Sequence, residues 1–418
     1  GENMLVSKNH NMILPNVWPS YFKKTKGCNI WDLENKKYTD ISLMGVGTNI
    51  LGYSNIEIDK AVKRVVHNGN LSTLNCFEEV KLAEKLIDLH PWFQKVKLAR
   101  SGGEANSIAI RIARANTKKT NVAICGYHGW HDWYLSANLN SNKTLDKHLL
   151  SGLNPIGIPK QLKNTSFAFN YGDYSRIKYL VENKSVGIIK MEVCRSTQPD
   201  INFLKKIRKL CDKEKIILIF DECTSGFRES LGGLHKKIEV FPDMAILGKA
   251  LGNGYAITAV LGKQDIMDDA RNSFMSSTFW TERIGPAAAL KTLETMEKLK
   301  SWEKITNIGK NVQKMWLKLS KRHKLKIDID GLPSISKFYF KNKHSEFKTF
   351  ITQEFLKHNF LGTNAVYACI SHDKKVLTRY EELLDEIFFK ISEIIKKEQD
   401  IKKYIVTDIA KPPFSRLN

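Results

Sequence analysis

Two apolar runs near the middle of the chain, each ending in a charged residue, constrain the fold most. Residues 216–223 read IILIFDEC and residues 241–249 read FPDMAILGK. A continuous apolar run of roughly 4–8 residues is typical of a buried strand in a parallel sheet. The first run ends in Asp221 and the second in Lys249, and parallel sheets bind ligands at the carboxyl ends of their strands. The sequence therefore predicts that these two side chains share a binding site.

An acid and an amine in one site suit pyridoxal phosphate (PLP). The Lys249 amine can form an imine with the aldehyde of this cofactor, and the Asp221 carboxylate can keep the ring nitrogen protonated so that the ring withdraws electrons. Each feature also has an ordinary structural explanation, because many α/β proteins contain a strand ending in Asp-Glu or a loop containing Gly-Lys. The PLP hypothesis therefore depends on the remainder of the chain.

A candidate anion site precedes these runs. A short predicted strand at 95–99 leads into Ser101, Gly102 and Gly103, and apolar residues then recur at helical spacing up to position 113. A strand, a glycine turn and a helix N-terminus direct backbone N–H groups towards an anion, and the phosphate of PLP would be a suitable one. The alternative is an ordinary strand–helix turn in which Ser101 caps the helix.

An aromatic segment follows the next predicted strand, at 121–125. It reads GYHGWHDWY over residues 126–134. A flat heteroaromatic cofactor needs a ring on which to stack, and Tyr127 or His128 would supply one, whereas the alternative is a core cluster of aromatic rings. The polar stretch at 138–163 is predicted to be a long loop, of a length that is typical of lids.

Strands and helices alternate from residue 95 to 300, ending in an amphipathic helix predicted at 284–299. This order predicts an α/β fold with a large, doubly wound, mostly parallel sheet and right-handed crossovers. Beyond residue 302, helices predicted at 303–323, 347–358 and 378–397 alternate with short strands of a smaller α+β domain.

The length of 418 residues is sufficient for two such domains. We expect residues 1–55 to form an N-terminal arm that is also part of the small domain. The large PLP-binding domain is expected at 56–300 and the C-terminal small domain at 301–418.

The net charge of +22 arises from 66 basic and 44 acidic residues. Lysines occur singly and in short pairs along the whole chain, without an arginine-rich block or an alternation of lysine with aromatic residues. This pattern indicates a lysine-rich solvated surface or an electrostatic field that attracts anionic substrates. It does not favour nucleic acid as a partner.

The seven cysteines are odd in number and include no C-x-x-C pair. That pattern is typical of reduced thiols in a cytoplasmic protein, and not of a disulfide framework or a zinc site. No apolar run approaches the length of a membrane span. We therefore expect a cytoplasmic protein with neither a metal site nor a membrane partner.

Between about residues 40 and 395 the chain resembles the class III, fold type I, PLP-dependent aminotransferases. The similarity is strongest in FDECxxGFR at 220–228, followed by PDxxxxGKxLGxG at 242–254. This combination is specific, whereas a single glycine loop would not be. The resemblance implies the fold type I architecture and PLP as the cofactor.

The resemblance also assigns roles to individual residues. It implies that Lys249 forms the imine, that Asp221 is the partner of the ring nitrogen and that Tyr127 stacks on the ring. Thr278 matches a family threonine that reaches the phosphate from the other subunit of a homodimer. The remaining implied cofactor contacts are Ser101, Gly102, Gly103, His128 and Glu192.

Within this family the chain is similar to the glutamate-1-semialdehyde aminomutase-like proteins, with departures near the substrate. The residues after Tyr127 read HGWHD, where those aminomutases usually have HGHAD. The segment around Thr278 reads STFWTE in place of GTLSGNP, and Cys223 stands where valine is usual. The cofactor residues are therefore retained, while the segments near the substrate differ.

The implied function is a ping-pong transamination between an amino donor and a carbonyl substrate. We expect that substrate to be a keto-sugar or semialdehyde of surface-polysaccharide or secondary metabolism. The alternatives are a 2,1-aminomutase and a catalytically silent PLP-fold binding protein. Candidate substrate contacts, each with a structural alternative, are Trp130, Arg195, Trp280 and Arg283.

Overall fold

The computed structural model describes residues 5–194 and 198–410. Its strands, in chain order, are β1 (Phe22–Lys26), β2 (Asn29–Asp32), β3 (Lys37–Asp40), β4 (Lys95–Ala99), β5 (Asn121–Cys125), β6 (Ser166–Ala168), β7 (Val186–Glu192), β8 (Ile217–Asp221), β9 (Met244–Leu247), β10 (Thr258–Gly262), β11 (Ile327–Asp330), β12 (Ile335–Phe340), β13 (Phe360–Leu361) and β14 (Ala365–Tyr367). Its helices are α1 (Met44–Gly47), α2 (Ile56–His67), α3 (Phe77–Leu89), α4 (Gly102–Thr117), α5 (Asp132–Leu135), α6 (Tyr174–Asn183), α7 (Ile201–Glu214), α8 (Leu234–Ile238), α9 (Gln264–Met267), α10 (Ile284–Leu299), α11 (Ser301–Arg322), α12 (His344–Lys357) and α13 (Lys374–Lys396).

The described chain divides into two compact units. The larger unit contains residues 56–194 and 199–299, and the smaller contains residues 5–55, Gln198 and residues 300–410. Each unit has its own sheets and its own hydrophobic core.

The larger unit is built on a seven-stranded sheet in the described part of the chain, in the order β4-β10-β9-β8-β7-β5-β6. The pairs from β9 to β6 are parallel, and β10 runs antiparallel to both of its neighbours. All residues of β7 and β8 are buried, as expected for central parallel strands covered on both faces. The structure confirms the predicted α/β fold with a large, mostly parallel sheet.

Helix α4 covers one face of this sheet because its apolar residues recur at helical spacing. Ala105, Ile108 and Ile112 pack in one core cluster with Ile219 of β8 and Ile246 of β9. This packing fixes the start of α4 beside the carboxyl ends of the central strands. Burial of one such aliphatic side chain contributes about 1.5–3 kcal/mol.

The smaller unit contains two sheets, β1-β2-β3-β13 and β11-β12-β14. Its core includes the buried rings of Trp316, Phe338, Tyr380 and Phe388, and the Trp316 indole N–H donates to the Tyr380 hydroxyl at 2.8 Å. Residues 22–40 lie within the segment expected as an N-terminal arm that is part of the small domain. Those residues form three strands, and β3 pairs in parallel with β13.

The polar segment at 138–163 contains only short 3₁₀ turns, at Ser136–Leu139, Asp146–His148 and Lys160–Leu162. It is nevertheless anchored, because the side chains of Leu145 and Leu150 are buried in the core of the larger unit. A lid that moved as one body would have to withdraw both leucines from that core. The lid therefore stays a prediction, and the burial of the two leucines opposes movement of the complete segment.

Two further features bear on the cellular environment. All seven cysteines are free thiols, and six of them are buried. Burial raises the pKa of the Cys125 and Cys211 thiols well above the usual range, so these groups stay protonated at neutral pH. None of the helices in the described ranges combines the length and the apolarity required to cross a bilayer.

Candidate active site

Asp221 is the last residue of β8 and is almost completely buried, with 3% of its surface exposed. Its carboxylate accepts a hydrogen bond from His128 Nδ1 at 2.9 Å through Oδ2, and one from the Cys223 backbone N–H at 3.1 Å through Oδ1. The ammonium of Lys190, on the neighbouring strand β7, lies 3.7 Å from Oδ2. Three groups thus surround one carboxylate at the carboxyl end of the sheet.

These groups keep Asp221 ionised. Burial alone raises the pKa of the carboxyl, but the charge of Lys190 and the hydrogen bond from His128 outweigh it and hold the pKa well below the usual range. The site therefore presents a fixed negative charge in a nearly dry environment. Such a carboxylate can keep the proton on a basic nitrogen of a ligand.

Lys249 lies two residues after β9, at the start of a 3₁₀ turn, Lys249–Gly252. Its backbone has a φ of 44°, in the left-handed region that residues other than glycine seldom adopt. The Nζ atom donates a hydrogen bond to Thr224 Oγ1 at 2.7 Å. Strain of this kind is typical of functional sites, where the surroundings impose the conformation.

The sheet brings Asp221 and Lys249 to the same end of neighbouring strands. Asp221 is paired with Ile246 of β9, three residues before Lys249, and Lys249 bonds to Thr224, three residues after Asp221. Cys223, which precedes Thr224, donates its backbone N–H to Asp221 Oδ1 at 3.1 Å. The predicted shared site of these two residues is thus compatible with the register of β8 and β9.

Glu222, next to Asp221, fixes the loop that follows β8. Its buried carboxylate accepts hydrogen bonds from Ser225 Oγ at 2.9 Å, from the Leu234 backbone N–H and from the His235 ring. These bonds, with the charge of His235, hold the pKa of Glu222 low despite complete burial. Because the loop is tied at several points, Thr224 has a defined position from which to hold Lys249.

The N-terminus of α4 forms the second part of the site. Ser101 is the N-cap, its Oγ accepts a hydrogen bond from the Glu104 N–H, and Glu104 Oε2 accepts one from the Ser101 N–H at 2.8 Å. Gly102 and Gly103 occupy the first turn, in which backbone N–H groups have no acceptor within the helix. The structure shows the predicted cap at Ser101, and the anion site stays a prediction, because a capped helix start is also suited to an anion.

The aromatic segment after β5 meets the site through His128, which bonds to Asp221. Tyr127 is half-buried, and its backbone N–H donates to Glu192 Oε2 at 3.0 Å. A Cβ added at Gly126 would lie 2.5 Å from the same oxygen, so Glu192 requires glycine there. Glu192 therefore holds the backbone of the aromatic segment at the end of β7.

Thr278 and Trp280 lie in the segment that precedes α10. Thr278 is exposed at the start of the turn Thr278–Thr281. The Trp280 indole N–H donates to Glu104 Oε1 at 3.2 Å, and its backbone carbonyl accepts from Arg100 at 2.9 Å. These bonds attach the Thr278 segment to the N-terminus of α4.

The other candidate substrate residues do not join the central group. Arg283 is held by Glu78 on α3, with Nη2 2.7 Å from Oε1, and it also donates to the Gly69 carbonyl at 3.1 Å. Trp130 is largely exposed and packs on His131, with ring centroids 4.6 Å apart. Arg195 lies outside the described residues.

Two residues of the site were missed in the sequence. Thr224 had no signal beyond its position one residue after Cys223. Lys190 did have a signal, because it is the lone charged residue between Val186 and Met191 and shares a strand face with Glu192, two residues on.

The arrangement fits PLP. Two glycines border Cys223, since an added Cβ would lie 3.7 Å from its Sγ at Gly102 and 3.1 Å at Gly248, and at Gly103 an added Cβ would meet His131 at 3.0 Å. The start of α4, the Asp221 carboxylate and the Lys249 amine are the kinds of group that PLP requires. In the described ranges, no cluster of three or more His, Cys, Asp or Glu side chains could hold a metal ion.

Comparison with known proteins gives a consistent result. The sequence model of the class-III aminotransferases matches residues 14–361. The chain is 31% identical to the 3-aminobutyryl-CoA aminotransferase of Cloacimonas acidaminovorans strain Evry over 91% of this chain and 92% of that protein. It is 28% identical to the glutamate-1-semialdehyde 2,1-aminomutase of Fusobacterium nucleatum, with 90% and 91% covered. The structure of the FumI protein of Sphingopyxis sp. MTA144, in a PLP-bound form, superimposes with a TM-score of 0.83 at 22% identity, covering 97% of this chain and 94% of that one.

The chain belongs to the class III aminotransferase family. It is a PLP-dependent enzyme that transfers an amino group between an amino donor and a carbonyl substrate. The fold and the cofactor expected from the sequence are thereby confirmed.

Proposed function

We propose that Lys249 and Asp221 carry the transamination. The observation that supports this proposal best is their placement, because β8 and β9 deliver a buried, ionised carboxylate and an amine to one end of the sheet. Lys249 binds the cofactor and moves the proton at the substrate carbon, and Asp221 holds the proton on the ring nitrogen. PLP, when bound, supplies the electron sink for the charge that develops on that carbon.

Other residues orient this pair. Thr224 holds the Lys249 amine, and His128 holds the carboxylate of Asp221. Ser101, Gly102 and Gly103 are proposed to bind the phosphate at the N-terminus of α4, where the helix dipole favours an anion. Tyr127 is proposed to stack on the ring, in a position that Glu192 fixes through the backbone.

A homodimer is proposed, with Thr278 reaching the phosphate in the other subunit. The segment that carries Thr278 also carries the exposed side chains of Phe274 (85%) and Phe279 (66%), and Trp130 (71% exposed) borders the same surface cavity as Phe274 and Trp280. Exposed apolar groups of this size are typical of an interface with another protein. The bonds of Arg100 and Trp280 tie this surface to the phosphate end of the site.

The dimer proposal predicts separate effects for two substitutions. We expect Phe279→Glu to weaken self-association by roughly 30-fold or more, because it places a charge in an apolar interface. We expect Thr278→Ala to keep the dimer and to weaken PLP binding about tenfold, since one hydrogen bond to a charged group is lost. Light scattering and fluorescence titration of the apoprotein with PLP measure the two quantities.

Ile156→Glu is the matched control, because Ile156 is also an exposed apolar side chain, at 83% against 66% for Phe279, on a different segment. It should leave both the molar mass and the PLP affinity unchanged. A monomeric wild-type protein that binds PLP fully, or a Phe279→Glu protein that stays dimeric at micromolar concentration, would contradict the proposed arrangement.

The substrate class stays a proposal. The sequence suggested a keto-sugar or semialdehyde, whereas the relative from Cloacimonas is named for an amino group on an acyl-CoA. The net charge of +22 favours anionic substrates in general. The similarity to a 2,1-aminomutase keeps that activity as the second candidate, while the retained Asp221 and Lys249 oppose a silent binding protein.

A half-reaction separates the two enzyme candidates. We expect the PLP-loaded protein to lose its visible absorption band on mixing with an external amino donor, and to recover it only when a carbonyl acceptor is added. The donors to be mixed are glutamate, alanine, a β-amino acid, a β-aminoacyl-CoA and an amino sugar. Complete conversion of glutamate-1-semialdehyde without any external donor would instead establish the aminomutase.

We propose a cytoplasmic location for the enzyme. All seven cysteines are free, and six of them are buried, which suits a reducing compartment. Cell fractionation, with a thiol assay on the isolated protein, tests this location.

A further inference from the structure

Lys190 is the least expected residue of the larger unit. It lies in the centre of β7, where all seven residues are buried, and its own side chain is completely buried. Among the described residues no group accepts a hydrogen bond from its Nζ atom, and the nearest carboxylate oxygen is Asp221 Oδ2 at 3.7 Å. Burial of an ammonium group without hydrogen bonds is costly, so its presence requires a specific explanation.

Structural stability does not supply that explanation. Replacing a whole buried ion pair by apolar side chains of similar volume is often neutral or stabilising, and the neighbours of Lys190 on β7, Ile189 and Met191, are apolar and fully buried. Nor does Asp221 need a third group for orientation, because His128 and the Cys223 N–H already hold both of its oxygens. Lys190 instead adds a positive charge beside the Asp221 carboxylate.

We propose that Lys190 is a positioning residue that acts through Asp221, by offsetting part of the negative charge that this carboxylate presents to the ring nitrogen of PLP. The proposal rests on the proposed role of Asp221. A carboxylate with apolar neighbours would hold the ring proton over a wide pH range. With a cation 3.7 Å behind it, the same carboxylate holds that proton less strongly, and the ring nitrogen releases it at a lower pH.

The surroundings of Lys190 are consistent with this role. The titratable groups that face it are Asp221 at the end of β8, Glu192 on its own strand, Cys223 in the following loop and His128 after β5. Burial lowers the pKa of Lys190, and the charge of Asp221 opposes that effect. His128 bonds to the same carboxylate oxygen that Lys190 approaches, and burial together with the charge of Lys190 lowers the pKa of its ring, so that it donates to Asp221 as a neutral imidazole.

The test measures the protonation of the ring nitrogen directly. PLP labelled with ¹⁵N in the ring is bound to the wild-type protein and to Lys190→Met, and the ¹⁵N chemical shift is followed from pH 6 to pH 10. We expect the midpoint of deprotonation to rise by about one pH unit in Lys190→Met, since an apolar side chain no longer offsets the charge of Asp221. Lys190→Gln, which is also neutral, should shift the midpoint in the same direction and serves if the methionine variant does not fold.

Ile188→Val is the packing control, because Ile188 is buried on the same face of β7 and carries no charge. It should leave the midpoint where the wild type has it. An unchanged midpoint in both lysine variants, or an equal shift in Ile188→Val, would overturn the proposal. If Lys190 had a merely structural role, its replacement would lower the temperature at which the apoprotein unfolds and would leave the ¹⁵N titration of the ring nitrogen unchanged.

Asp221→Asn distinguishes this proposal from the proposed function. If Asp221→Asn lowers the midpoint while the lysine variants do not change it, only the role of Lys190 is wrong. If Asp221→Asn also has no effect on the midpoint, the role of Asp221 at the ring nitrogen is wrong.

Discussion

Lys249→Ala is expected to abolish covalent attachment of the cofactor and to reduce the rate of transamination by roughly 10³- to 10⁴-fold. The substitution removes the amine that Thr224 holds at 2.7 Å and leaves the backbone of the site in place. Borohydride reduction followed by peptide mass spectrometry measures the attachment, because the mass of PLP should be found on residue 249 of the wild type alone. Stopped-flow absorbance with an amino donor measures the rate.

Lys213→Ala serves as the surface control, since the Lys213 side chain is 80% exposed and far from β9 in sequence. Lys249→Arg separates the effect of the positive charge from that of the nucleophile, because it keeps a cation and loses the nucleophilic amine. Labelling at residue 190 in place of residue 249 would contradict the assignment, and it would indicate that the buried lysine beside Asp221 is the reactive one.

The sequence predicts the larger unit well because its signals are local. Continuous apolar runs define β7 and β8, and the helix predicted at 284–299 has the observed bounds of α10. Each signal reports burial, and burial in the centre of a parallel sheet leaves few alternatives for the backbone. The ends of β8 and β9 then place Asp221 and Lys249 without further information.

The parts that the sequence missed depend on distant partners. The strand β1 reads FKKTK and is almost entirely exposed, so it has no apolar alternation, and β3 pairs with β13 more than 300 residues later. The sequence left Arg283 with two interpretations, a substrate contact or a structural residue. In the structure its carboxylate partner is Glu78, 205 residues away in the chain.

Lys190 was missed for a different reason. Lysine within a sequence is ordinarily interpreted as a solvated residue, and in a protein with 66 basic residues one more attracts no attention. Its place in an apolar run is visible in the sequence, but its approach to Asp221 becomes evident only when the pairing of β7 with β8 sets Glu192 opposite Asp221 and Lys190 one pleat away. The register of two strands, and not the composition, thus identifies the group that modifies the site.

Asp221→Asn is expected to lower the rate of transamination by roughly 10²- to 10³-fold, because a neutral amide cannot hold the proton on the ring nitrogen. It should also destabilise the apoprotein by about 3–5 kcal/mol, since the ammonium of Lys190 loses its counter-ion in a buried position. Urea unfolding of the apoprotein measures the second effect separately from catalysis. Asp212→Asn is the control, because the Asp212 carboxylate is 64% exposed and its ion pair with Arg208 lies on the surface.

The double variant Asp221→Asn/Lys190→Met decides whether the two effects have separate origins. Replacing the lysine removes the unpaired buried charge, so the double variant should regain most of the stability that Asp221→Asn loses. It should regain none of the catalytic rate, because the carboxylate at the ring nitrogen is still missing. Recovery of the rate together with the stability would mean that Asp221 contributes only to folding. Failure to recover the stability would mean that Lys190 and Asp221 are not coupled, in spite of the 3.7 Å between them.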